Sequence, residues 1–562
     1  MLTPAVIGLN LLLAAGLILL ITDAKPRTTA ARLTAVVILF ALTAVYFRWR
    51  VTETLSAWDG TLAVAWQHLF FGCECVAAVY EAWTLGVLVR LTDNSPAADE
   101  YERRLREAAD LPAVDVFIPT YNENEKILRG TFRAALALDY PAGRLRIWAL
   151  DDRGRPWLQD LCAREGVGYF ARPTNEHGKA GNLNYAFRRT EGEFIVVIDA
   201  DFLLEKTFVY RTLGFLMFRR GVGIVQTPQH FYNPDPVQFN LGGHAAWTEE
   251  QHFFMTTGQA ARDAYGNAFC VGSGWIVRRA LLSEVGGFPQ ESLCEDLEVT
   301  YVLLARGHRT LHLNEPLAFG LAPESTPEYL KQRVRWCSGT MQHLFIKSGP
   351  LRSRGLSLVD RLFYLEPVLY YLTFPFMVLL LVAPVVFWFT GAGPIRAEGD
   401  GAALVLLPRF IAGYLLLYWL SEGKVMPPVT LLHKALSAFH LTAATLKALA
   451  RPFGRPFQVT SKGQATDRTV VHWRILWVFA VPGAALLAGM ALNLTGVLQI
   501  IDVERLTPLD VVWSGFSLVV FWLCVLLCIE PPRKGLQSSP ETEVRRASLA
   551  GTLRAVGRRL FR

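Results

Sequence analysis

The apolar stretches of this chain fall into two groups, and that spacing constrains its fold more than any other feature. A membrane-spanning helix needs roughly 20 predominantly apolar residues. The runs that reach or approach this length lie at residues 6–21, 33–47, 62–89, 368–389, 402–420, 476–500 and 511–529. The first run could be a signal peptide, but it lacks a basic leading segment and a small-residue cleavage site. We therefore predict three membrane helices before a water-soluble block and four after it.

Basic residues indicate how these helices are oriented. Cytoplasmic loops carry an excess of Lys and Arg, and here such residues cluster in 23–32, in 447–474 and after residue 529. With seven spans, one orientation places all three clusters and the soluble block in the cytoplasm, with the N-terminus outside. Arg48 and Arg50 do not fit this orientation. The net charge of +7 is too modest to indicate nucleic-acid binding, so the expected surface partner is membrane lipid.

Cysteine usage agrees with a cytosolic location for the soluble block. The chain has eight cysteines, scattered and without a CxxC pair. No Cys/His cluster has the spacing of a zinc site. Several cysteines lie in apolar runs, where the side chain packs as a small hydrophobic group. We expect reduced thiols.

The soluble block has the pattern of an α/β domain. Apolar, β-branched segments at 114–123, 145–152, 194–201 and 221–229 alternate with helix-like segments such as 125–138 and 180–189. Strands that alternate with helices predict a mostly parallel sheet. Ligands of such sheets bind outside the carboxyl ends of the strands. We therefore look for the functional site where these strands end.

Three of the predicted strands end in polar side chains. The first is followed by Tyr121 and Glu123, the second by Asp151 and Asp152, and the third by Asp199-Ala200-Asp201. Alternation along a strand places Asp199 and Asp201 on the same side, where two carboxylates repel each other. A divalent cation removes that repulsion, and Mg²⁺ prefers carboxylates together with substrate phosphates. The alternative is a solvated loop after a buried strand.

Further motifs carry polar side chains into predicted helices. His177, Lys179 and Asn182 lie where a glycine-punctuated loop enters a helix, which suits phosphate contact, although an ordinary polar loop has the same composition. Glu295 and Asp296 begin another helix, where acidic residues also complement the helix dipole.

A later segment, 329–342, carries Gln332, Arg335 and Trp336 at spacings that share one helix face. A basic interfacial helix with a tryptophan anchor would have the same pattern. The polar segment 455–468 indicates by itself only a cytoplasmic connection between membrane helices.

Taken in order, these motifs resemble a known family. Asp151-Asp152, Asp199-Ala200-Asp201, Glu295-Asp296, Gln332-Arg333-Val334-Arg335-Trp336 and Phe457-Gln458-Val459-Thr460-Ser461-Lys462 follow one another as in the processive membrane glycosyltransferases of the cellulose synthase type. Segments 175–186 and 227–236 are similar as well. The resemblance implies an α/β GT-A domain of glycosyltransferase family 2, embedded between membrane helices.

The resemblance also implies a role for each motif. The donor would be UDP-glucose, and Mg²⁺ or Mn²⁺ on Asp199 and Asp201 would neutralise its diphosphate. Asp296, beside Glu295, would be the general base, and Trp336 would stack on the acceptor sugar. One base and one displacement imply inversion, so an α-linked donor yields a β-linked polymer that threads between the helices. The residues implied for nucleotide-sugar binding are Tyr121, Glu123, Asp151, Asp152, Lys179, Gln332, Arg335, Thr460 and Lys462.

The sequence departs from the family pattern in three places. Cys294 replaces the usual threonine before Glu295-Asp296. Three helices precede the catalytic block, whereas many bacterial cellulose synthases are thought to have four; the layout is closer to curdlan or mixed-linkage β-glucan synthases. The basic tail is too short for a PilZ domain, so direct control by cyclic di-GMP is not expected. Leu549, Leu553, Val556 and Leu560 have the spacing of an amphipathic helix, or the tail is disordered.

The expected protein is a multi-pass enzyme of the bacterial inner membrane that makes a β-1,4-glucan, with a periplasmic accessory subunit as a further partner. A β-1,3- or mixed-linkage glucan, or another nucleotide sugar, remains open. The Gln-x-x-Arg-Trp helix and the Phe-x-Val-Thr-x-Lys loop argue against transfer of one sugar to a polyprenyl phosphate. Intact Asp199, Asp201, Asp296 and Trp336 argue against a non-enzymatic transporter or scaffold. The predicted divisions are helices in 1–92, the catalytic domain in 93–350, helices in 351–530 with a gating loop at 455–468, and a cytosolic tail in 531–562.

Overall fold

The computed structural model describes residues 4–23, 28–243, 246–395, 401–454, 462–463 and 466–533. Thr460 and the predicted amphipathic helix after residue 548 lie outside these ranges. The described part consists of an α/β domain between two groups of helices. The first group contains α1 (Pro4–Asp23), α2 (Thr29–Trp49) and α3 (Leu62–Val87).

The α/β domain follows directly. Its helices are α4 (Ser95–Arg106), α5 (Glu125–Leu136), α6 (Pro156–Glu165), α7 (Gly178–Phe187), α8 (Phe208–Phe218), α9 (Pro236–Asn240), α10 (Gln259–Asp263), α11 (Arg279–Glu284), α12 (Glu295–Leu304) and α13 (Thr326–Gln342). Its strands are β1 (Val114–Thr120), β2 (Leu145–Asp151), β3 (Gly168–Ala171), β4 (Phe194–Val197), β5 (Phe202–Leu204), β6 (Val222–Gln226), β7 (Gln229–Phe231), β8 (Trp275–Arg278), β9 (Arg309–His312) and β10 (Ala318–Gly320).

The second helical group completes the described chain. It contains α14 (Leu358–Leu372), α15 (Phe374–Thr390), α16 (Gly401–Leu420), α17 (Pro427–Ala450), α18 (Trp473–Leu494) and α19 (Pro508–Leu527), with short strands β11 (Val470–Val471) and β12 (Ile529–Glu530). Six helical segments of the described residues are long and apolar enough to cross a membrane, and they coincide with six of the seven predicted spans. The remaining predicted span is α1, whose apolar part Val6–Thr22 falls among the shorter helices.

Helix α17 was not anticipated from the sequence. It interrupts its apolar residues with His433, Lys434, His440 and Lys447, so its mean hydropathy does not reach that of a membrane span. In the structure it packs against α13, α15 and α19 of the surrounding layers, with one face buried. The helix is therefore held by tertiary packing and not by an apolar environment on all sides.

Two ion pairs connect charged residues of the membrane helices. Arg50 is fully buried at the end of α2, and its Nε lies 3.0 Å from Glu74 of α3. Arg409 of α16 contacts Glu81 of α3 in the same way. Charges at membrane depth are costly unless they face a partner or a cavity. The pairing explains why Arg50 does not follow the predicted charge distribution and why two glutamates interrupt the third apolar run.

The main sheet has the strand order β3-β2-β1-β4-β8-β6-β9. β3, β2, β1 and β4 are parallel neighbours, β8 is antiparallel to both β4 and β6, and β9 is parallel to β6. A second sheet has the order β5-β10-β7. The predicted mostly parallel α/β sheet is therefore confirmed. The order of the parallel strands brings the carboxyl ends of β2, β1 and β4 side by side.

Alternating residues of the strands fill two cores, one on each face of the sheet. Val116 and Ile118 of β1 and Val196 of β4 pack into one cluster, whereas Phe117 and Ile195 pack into the other. Such alternation follows from the two-residue period of a strand. Burial on both faces fixes the register of β1 and β4, and so fixes where their polar ends emerge.

The α/β domain is fastened to the helices through α9 and α13. Tyr329 and Leu330 of α13 and Val237 of α9 belong to one buried cluster with residues of α15, α17, α18 and α19. The hydroxyl of Thr326, at the start of α13, donates to the carbonyl of Leu527 at 2.8 Å. This attachment places α13 between the sheet and the membrane helices.

Candidate active site

The carboxyl end of β1 presents Tyr121 and Glu123 at the rim of the sheet. Glu123 accepts hydrogen bonds from the Tyr121 backbone N–H at 2.8 Å and from the Thr120 hydroxyl at 2.5 Å, which fixes the turn after the strand. Arg153 lies over the Tyr121 ring, 5.2 Å from its centroid. The carboxylate of Glu123 is close enough to Asp201 and Asp152 to raise the pKa of both. The turn after β1 therefore lies close to the ends of β2 and β4.

The structure separates the two aspartates after β2. Asp151 is fully buried, and its carboxylate accepts hydrogen bonds from the Tyr169 hydroxyl at 2.9 Å and from the backbone N–H and Nε of Arg155 at 2.6 and 3.1 Å. Asp152 is less buried and pairs with Arg172. Burial raises the pKa of Asp152 despite that arginine. Asp151 thus orders the loop after β2, whereas Asp152 pairs with Arg172, which follows β3.

Asp199 lies at the end of β4 beside Lys179 of α7. The Lys179 ammonium group donates to Asp199 at 2.5 Å and to the Gly272 carbonyl at 2.6 Å, and it lies 3.8 Å from Glu295. The backbone N–H of Asp199 donates to the Ser273 hydroxyl at 3.0 Å. Burial lowers the pKa of Lys179, but the carboxylates of Asp199 and Glu295 outweigh that effect and raise it above its usual range. Lys179 is therefore a permanent cation at the centre of the site.

Asp201 is paired with a lysine from the other end of the chain. Lys462, which follows α17, contacts the Asp201 carboxylate, and Asp201 is largely buried. Burial raises the pKa of Asp201, with Lys462 opposing that rise and Asp199 adding to it. Two carboxylates with two cations beside them form an all-oxygen donor set of the kind that Mg²⁺ or Mn²⁺ binds.

Asp296 begins α12, and the backbone is tightly folded around it. Burial, and then the adjacent Glu295 carboxylate, raises the pKa of Asp296 to about 7. Its carboxylate accepts the backbone N–H of Leu297 at 2.9 Å. Gly272 has a φ of +93°, and a Cβ there would lie 3.1 Å from an oxygen of Asp296. A residue without a side chain is required where the 272–274 turn passes this carboxylate.

Helix α13 carries Gln332 and also Trp336, which lines the same cavity as Asp296. Gln332 is buried, whereas Trp336 is partly exposed, with the Arg333 guanidinium 4.5 Å from its ring centroid. Cys294, the residue that departs from the family pattern, donates its thiol to the Trp336 carbonyl at 3.8 Å. The cysteine therefore ties the start of α12 to α13.

Two residues of the predicted phosphate loop do not belong to the site. Asn182 is buried and donates to the Leu150 carbonyl at 2.7 Å, which attaches α7 to β2. His177 is exposed and has a φ of 60° at the start of α7. Of the three polar residues in that motif, only Lys179 is brought to Asp199.

Sequence reasoning missed the residues that shape the site without carrying its charge. The Gly272 carbonyl accepts a hydrogen bond from Lys179, and the Ser273 hydroxyl accepts one from the backbone N–H of Asp199. Arg172 donates a hydrogen bond to Asp152 and so positions it. A signal for the first two existed in the Gly-Ser-Gly run at 272–274, which is typical of a tight turn. No local pattern marks Arg172, because it approaches Asp152 from the neighbouring strand.

A cavity of about 620 Å³ leads from this site into the helices. Asp296, Cys294 and Trp336 line one part of it. Its other walls come from α3, α14, α15, α16 and α17, and its aromatic lining includes Tyr80, Trp83, Trp247, Phe254, Tyr370 and Phe376. The predicted base and the predicted acceptor platform therefore share one cavity with the predicted membrane helices.

Comparisons with known proteins now identify the domain. Residues 112–339 match the glycosyltransferase-like family 2, a range that runs from β1 to α13. Residues 112–339 are a glycosyltransferase family 2 domain. The chain is 30% identical over 489 residues to the "Cellulose synthase catalytic subunit [UDP-forming]" of Pseudomonas fluorescens, covering 86% of the chain and 65% of that protein. It is 31% identical over 495 residues to "Cellulose synthase 1" of Komagataeibacter xylinus, covering 87% of the chain.

The chain spans 31% of the length of the Komagataeibacter protein and less than two thirds of the Pseudomonas one. Among solved structures it is similar to a mannosyltransferase from Pyrobaculum calidifontis in complex with GDP-Man and Mn²⁺. That similarity has a TM-score of 0.43 and 19% identity, covering 67% of this chain and 99% of the other. The predicted family and the α/β glycosyltransferase domain between membrane helices are confirmed. The protein is a multi-pass membrane protein.

Proposed function

We propose that this glycosyltransferase is processive and inverting, that it polymerises glucose from UDP-glucose into a β-glucan, and that it moves the product across the membrane. One observation carries the proposal: Asp296 and Trp336 line the same cavity as residues of α3, α14, α15, α16 and α17. A glycosyltransferase that adds one sugar to a soluble acceptor has no need for such a connection. The resemblance to cellulose synthases points to the same reaction.

The lining of the cavity suits a neutral, hydroxyl-rich chain. Aromatic rings pack against the apolar faces of sugars, and polar groups between them accept and donate hydrogen bonds. Both types of side chain line this cavity, and its volume of about 620 Å³ lies within the range of ligand cavities. Trp336 is the aromatic residue of α13 that lines this cavity together with Asp296, so we assign it to the terminal acceptor sugar.

The strand ends would hold the donor. We assign the uridine to Tyr121, Glu123 and Asp152, with Asp151 fixing their loop. Lys179 is a permanent cation against Asp199, and we assign it to the diphosphate. Gln332 and Arg335 would complete the nucleotide-sugar site from α13, and Thr460 and Lys462 would close over it.

Asp199 and Asp201 would hold the divalent ion, Mg²⁺ or Mn²⁺, whose chemistry is to neutralise the diphosphate as UDP leaves. Lys462 contacts Asp201 in this structure, so donor binding would transfer its ammonium group from the carboxylate to the nucleotide. The chain's own residues thus balance the carboxylate charge before the donor arrives.

Asp296 would act as the general base. It would take the proton from the acceptor hydroxyl while that oxygen attacks the anomeric carbon and the bond to UDP breaks. A base is most effective when its pKa lies near the working pH, and the pKa of Asp296 is about 7. Attack opposite the leaving UDP inverts the anomeric carbon and yields a β linkage.

The membrane arrangement follows from the proposed reaction. Nucleotide sugars are made in the cytoplasm, so the α/β domain would face the cytoplasm of a bacterial inner membrane. The polymer would leave through the cavity toward the opposite side, where a periplasmic accessory subunit would receive it. Membrane lipids surround the helices.

The experiment that tests this function is an incubation of inverted membrane vesicles with radiolabelled UDP-glucose and Mg²⁺, followed by digestion with linkage-specific glucanases. We expect insoluble label that a β-1,4-glucanase releases, and none from Asp296→Asn vesicles or after chelation of divalent ions. Release by a β-1,3-glucanase or a mixed-linkage glucanase would replace the β-1,4 assignment. Incorporation of a single sugar into lipid would overturn processive synthesis.

A further inference from the structure

A second group of metal-ligating side chains lies outside the proposed catalytic residues. His230 belongs to β7, and Glu249 and His252 lie on the segment that leads to α10. One ligand atom from each residue lies within 4.8 Å of the other two. We propose that these three side chains form a structural binding site for a divalent transition-metal ion of the Zn²⁺ type. The ion would clamp β7 to the wall of the cavity.

The ligand types select this class of ion. Two imidazoles and one carboxylate suit Zn²⁺ and similar ions, whereas Mg²⁺ prefers oxygen ligands throughout. Tetrahedral bonds of about 2.0–2.2 Å place the ligand atoms roughly 3.3–3.5 Å apart. The three ligand atoms lie within 4.8 Å of one another, so only small side-chain rotations are needed to reach that separation. The group is thus distinct in chemistry from the all-oxygen Asp199 and Asp201.

The geometry of Glu249 leaves a carboxylate oxygen for the ion. One oxygen accepts the backbone N–H of His252 at 2.5 Å, which fixes the start of a helical turn. The other lies 3.8 Å from Nδ1 of the His252 ring. A purely structural helix cap explains the first contact but not the second. The centroids of the His230 and His252 rings lie 5.6 Å apart, so the two imidazoles are direct neighbours.

Burial shifts the pKa of all three side chains of the group. Burial lowers the pKa of His230 to about 4, and burial together with the His230 and Lys424 charges lowers the pKa of His252 to about 3. Burial raises the pKa of Glu249 to about 8, so an ion must displace one proton from it.

Some of the charges around the group disfavour a bound cation, and others favour one. Lys424 faces the two rings and Arg333 faces Glu249, and both disfavour another cation. Asp235 and Glu250 lie close enough to raise the pKa of Glu249, and they favour a cation. The neighbouring His312 remains neutral, because burial lowers its pKa to about 3. The local charge therefore does not exclude a divalent ion.

The position of the group gives the ion a mechanical role. His230 lies opposite Phe319 in the three-stranded sheet, which fixes its backbone. Phe253 and Phe254 follow His252 directly and line the cavity. An ion on His230, Glu249 and His252 would cross-link the sheet to this wall. The proposal is independent of the polymer that the protein makes.

The test uses Co²⁺ as a spectroscopic probe of the full chain, purified in detergent, stripped with a chelator and kept in excess Mg²⁺. Tetrahedral Co²⁺ absorbs strongly in the visible range, whereas Co²⁺ on oxygen ligands alone absorbs weakly. We expect one tetrahedral Co²⁺ per chain, without the sulfur charge-transfer band of a cysteine site. Zn²⁺ should displace it and raise the Tm.

Variants of the three ligands complete the test. His230→Ala, His252→Ala and Glu249→Gln should each weaken Co²⁺ binding by at least about tenfold, while the metal-free Tm of Glu249→Gln stays near that of the wild type. His308→Ala, which changes a histidine outside the group, should bind Co²⁺ normally. A wild-type chain without a tetrahedral spectrum, or ligand variants that bind Co²⁺ as tightly as the wild type, would overturn the site.

Discussion

The ammonium group of Lys462 contacts the carboxylate of Asp201, a residue that lies 261 positions earlier in the chain. Lys462 follows α17 in the second helical group, and Asp201 follows β4 of the α/β domain. The contact therefore closes the proposed donor site with a segment that belongs to the membrane part. Because the same lysine is proposed to bind the donor, its removal should weaken donor binding.

Lys462→Ala should raise the donor KM about tenfold, since a charge-assisted hydrogen bond to the nucleotide is lost. The kinetics of UDP-glucose consumption in vesicles measure this. Lys347→Ala, which removes an exposed lysine outside the proposed site, is the matched control. An unchanged KM would remove Lys462 from donor binding.

Asp296→Asn should abolish transfer while UDP binding persists. The amide keeps the shape of the side chain but cannot take a proton, and a general base contributes about 10²–10⁴-fold to a rate. Polymer synthesis and UDP binding by calorimetry are the two measurements. Glu284→Gln, an exposed carboxylate-to-amide change at the end of α11, should behave as the wild type. Synthesis by Asp296→Asn at the wild-type rate would eliminate Asp296 as the base.

The pH dependence of kcat/KM should show an acidic limb near pH 7. Asp296 must be deprotonated to act as a base, and burial raises its pKa to about 7. Activity is therefore full above this pH and is lost as the pH falls through it. Initial rates between pH 5 and pH 9, with Mg²⁺ held constant, measure the profile. A limb near pH 4, the ordinary range of a carboxylate, would contradict the assignment.

Trp336→Ala should shorten the polymer more than it weakens donor binding. The ring is proposed to hold the terminal sugar, and its loss lets the chain dissociate between additions. Trp336→Phe keeps an aromatic face and should retain most of the product length. Sizing of labelled product and the donor KM distinguish the two effects. A raised donor KM with unchanged product length would place Trp336 in the donor site instead.

Gly272→Ala should lower kcat by about 10- to 100-fold, because a Cβ would lie 3.1 Å from Asp296 and would displace its carboxylate. The substitution also strains a backbone with a φ of +93°. Gly307→Ala is the matched control, since Gly307 has a φ of +86° with no heavy atom within 4 Å of its Cβ. Equal losses of kcat in both variants would show that strain, and not crowding of Asp296, is the cause.

Much of the architecture was predictable because it depends on local pattern. Hydropathy located the six spans, and runs of apolar, β-branched residues located β1, β2 and β4 with their polar ends. The helices that carry Asp296 and Trp336 form where predicted. Parallel strands put their carboxyl ends at one edge of the sheet, so the sequence also predicted that Glu123, Asp152 and Asp199 lie near one another.

The tertiary structure decided which of these groups are paired and which are exposed. It paired Asp151 with Arg155 and Asp152 with Arg172, and it paired Arg50 with Glu74 inside the membrane region. It also formed α17, which hydropathy did not predict because histidines and lysines interrupt its apolar residues. It brought His230, Glu249 and His252 close together. Sequence periodicity indicates which residues of a single segment are buried and which are exposed. The partner of a charge is set by packing between segments far apart in the chain, and only the folded structure contains that information.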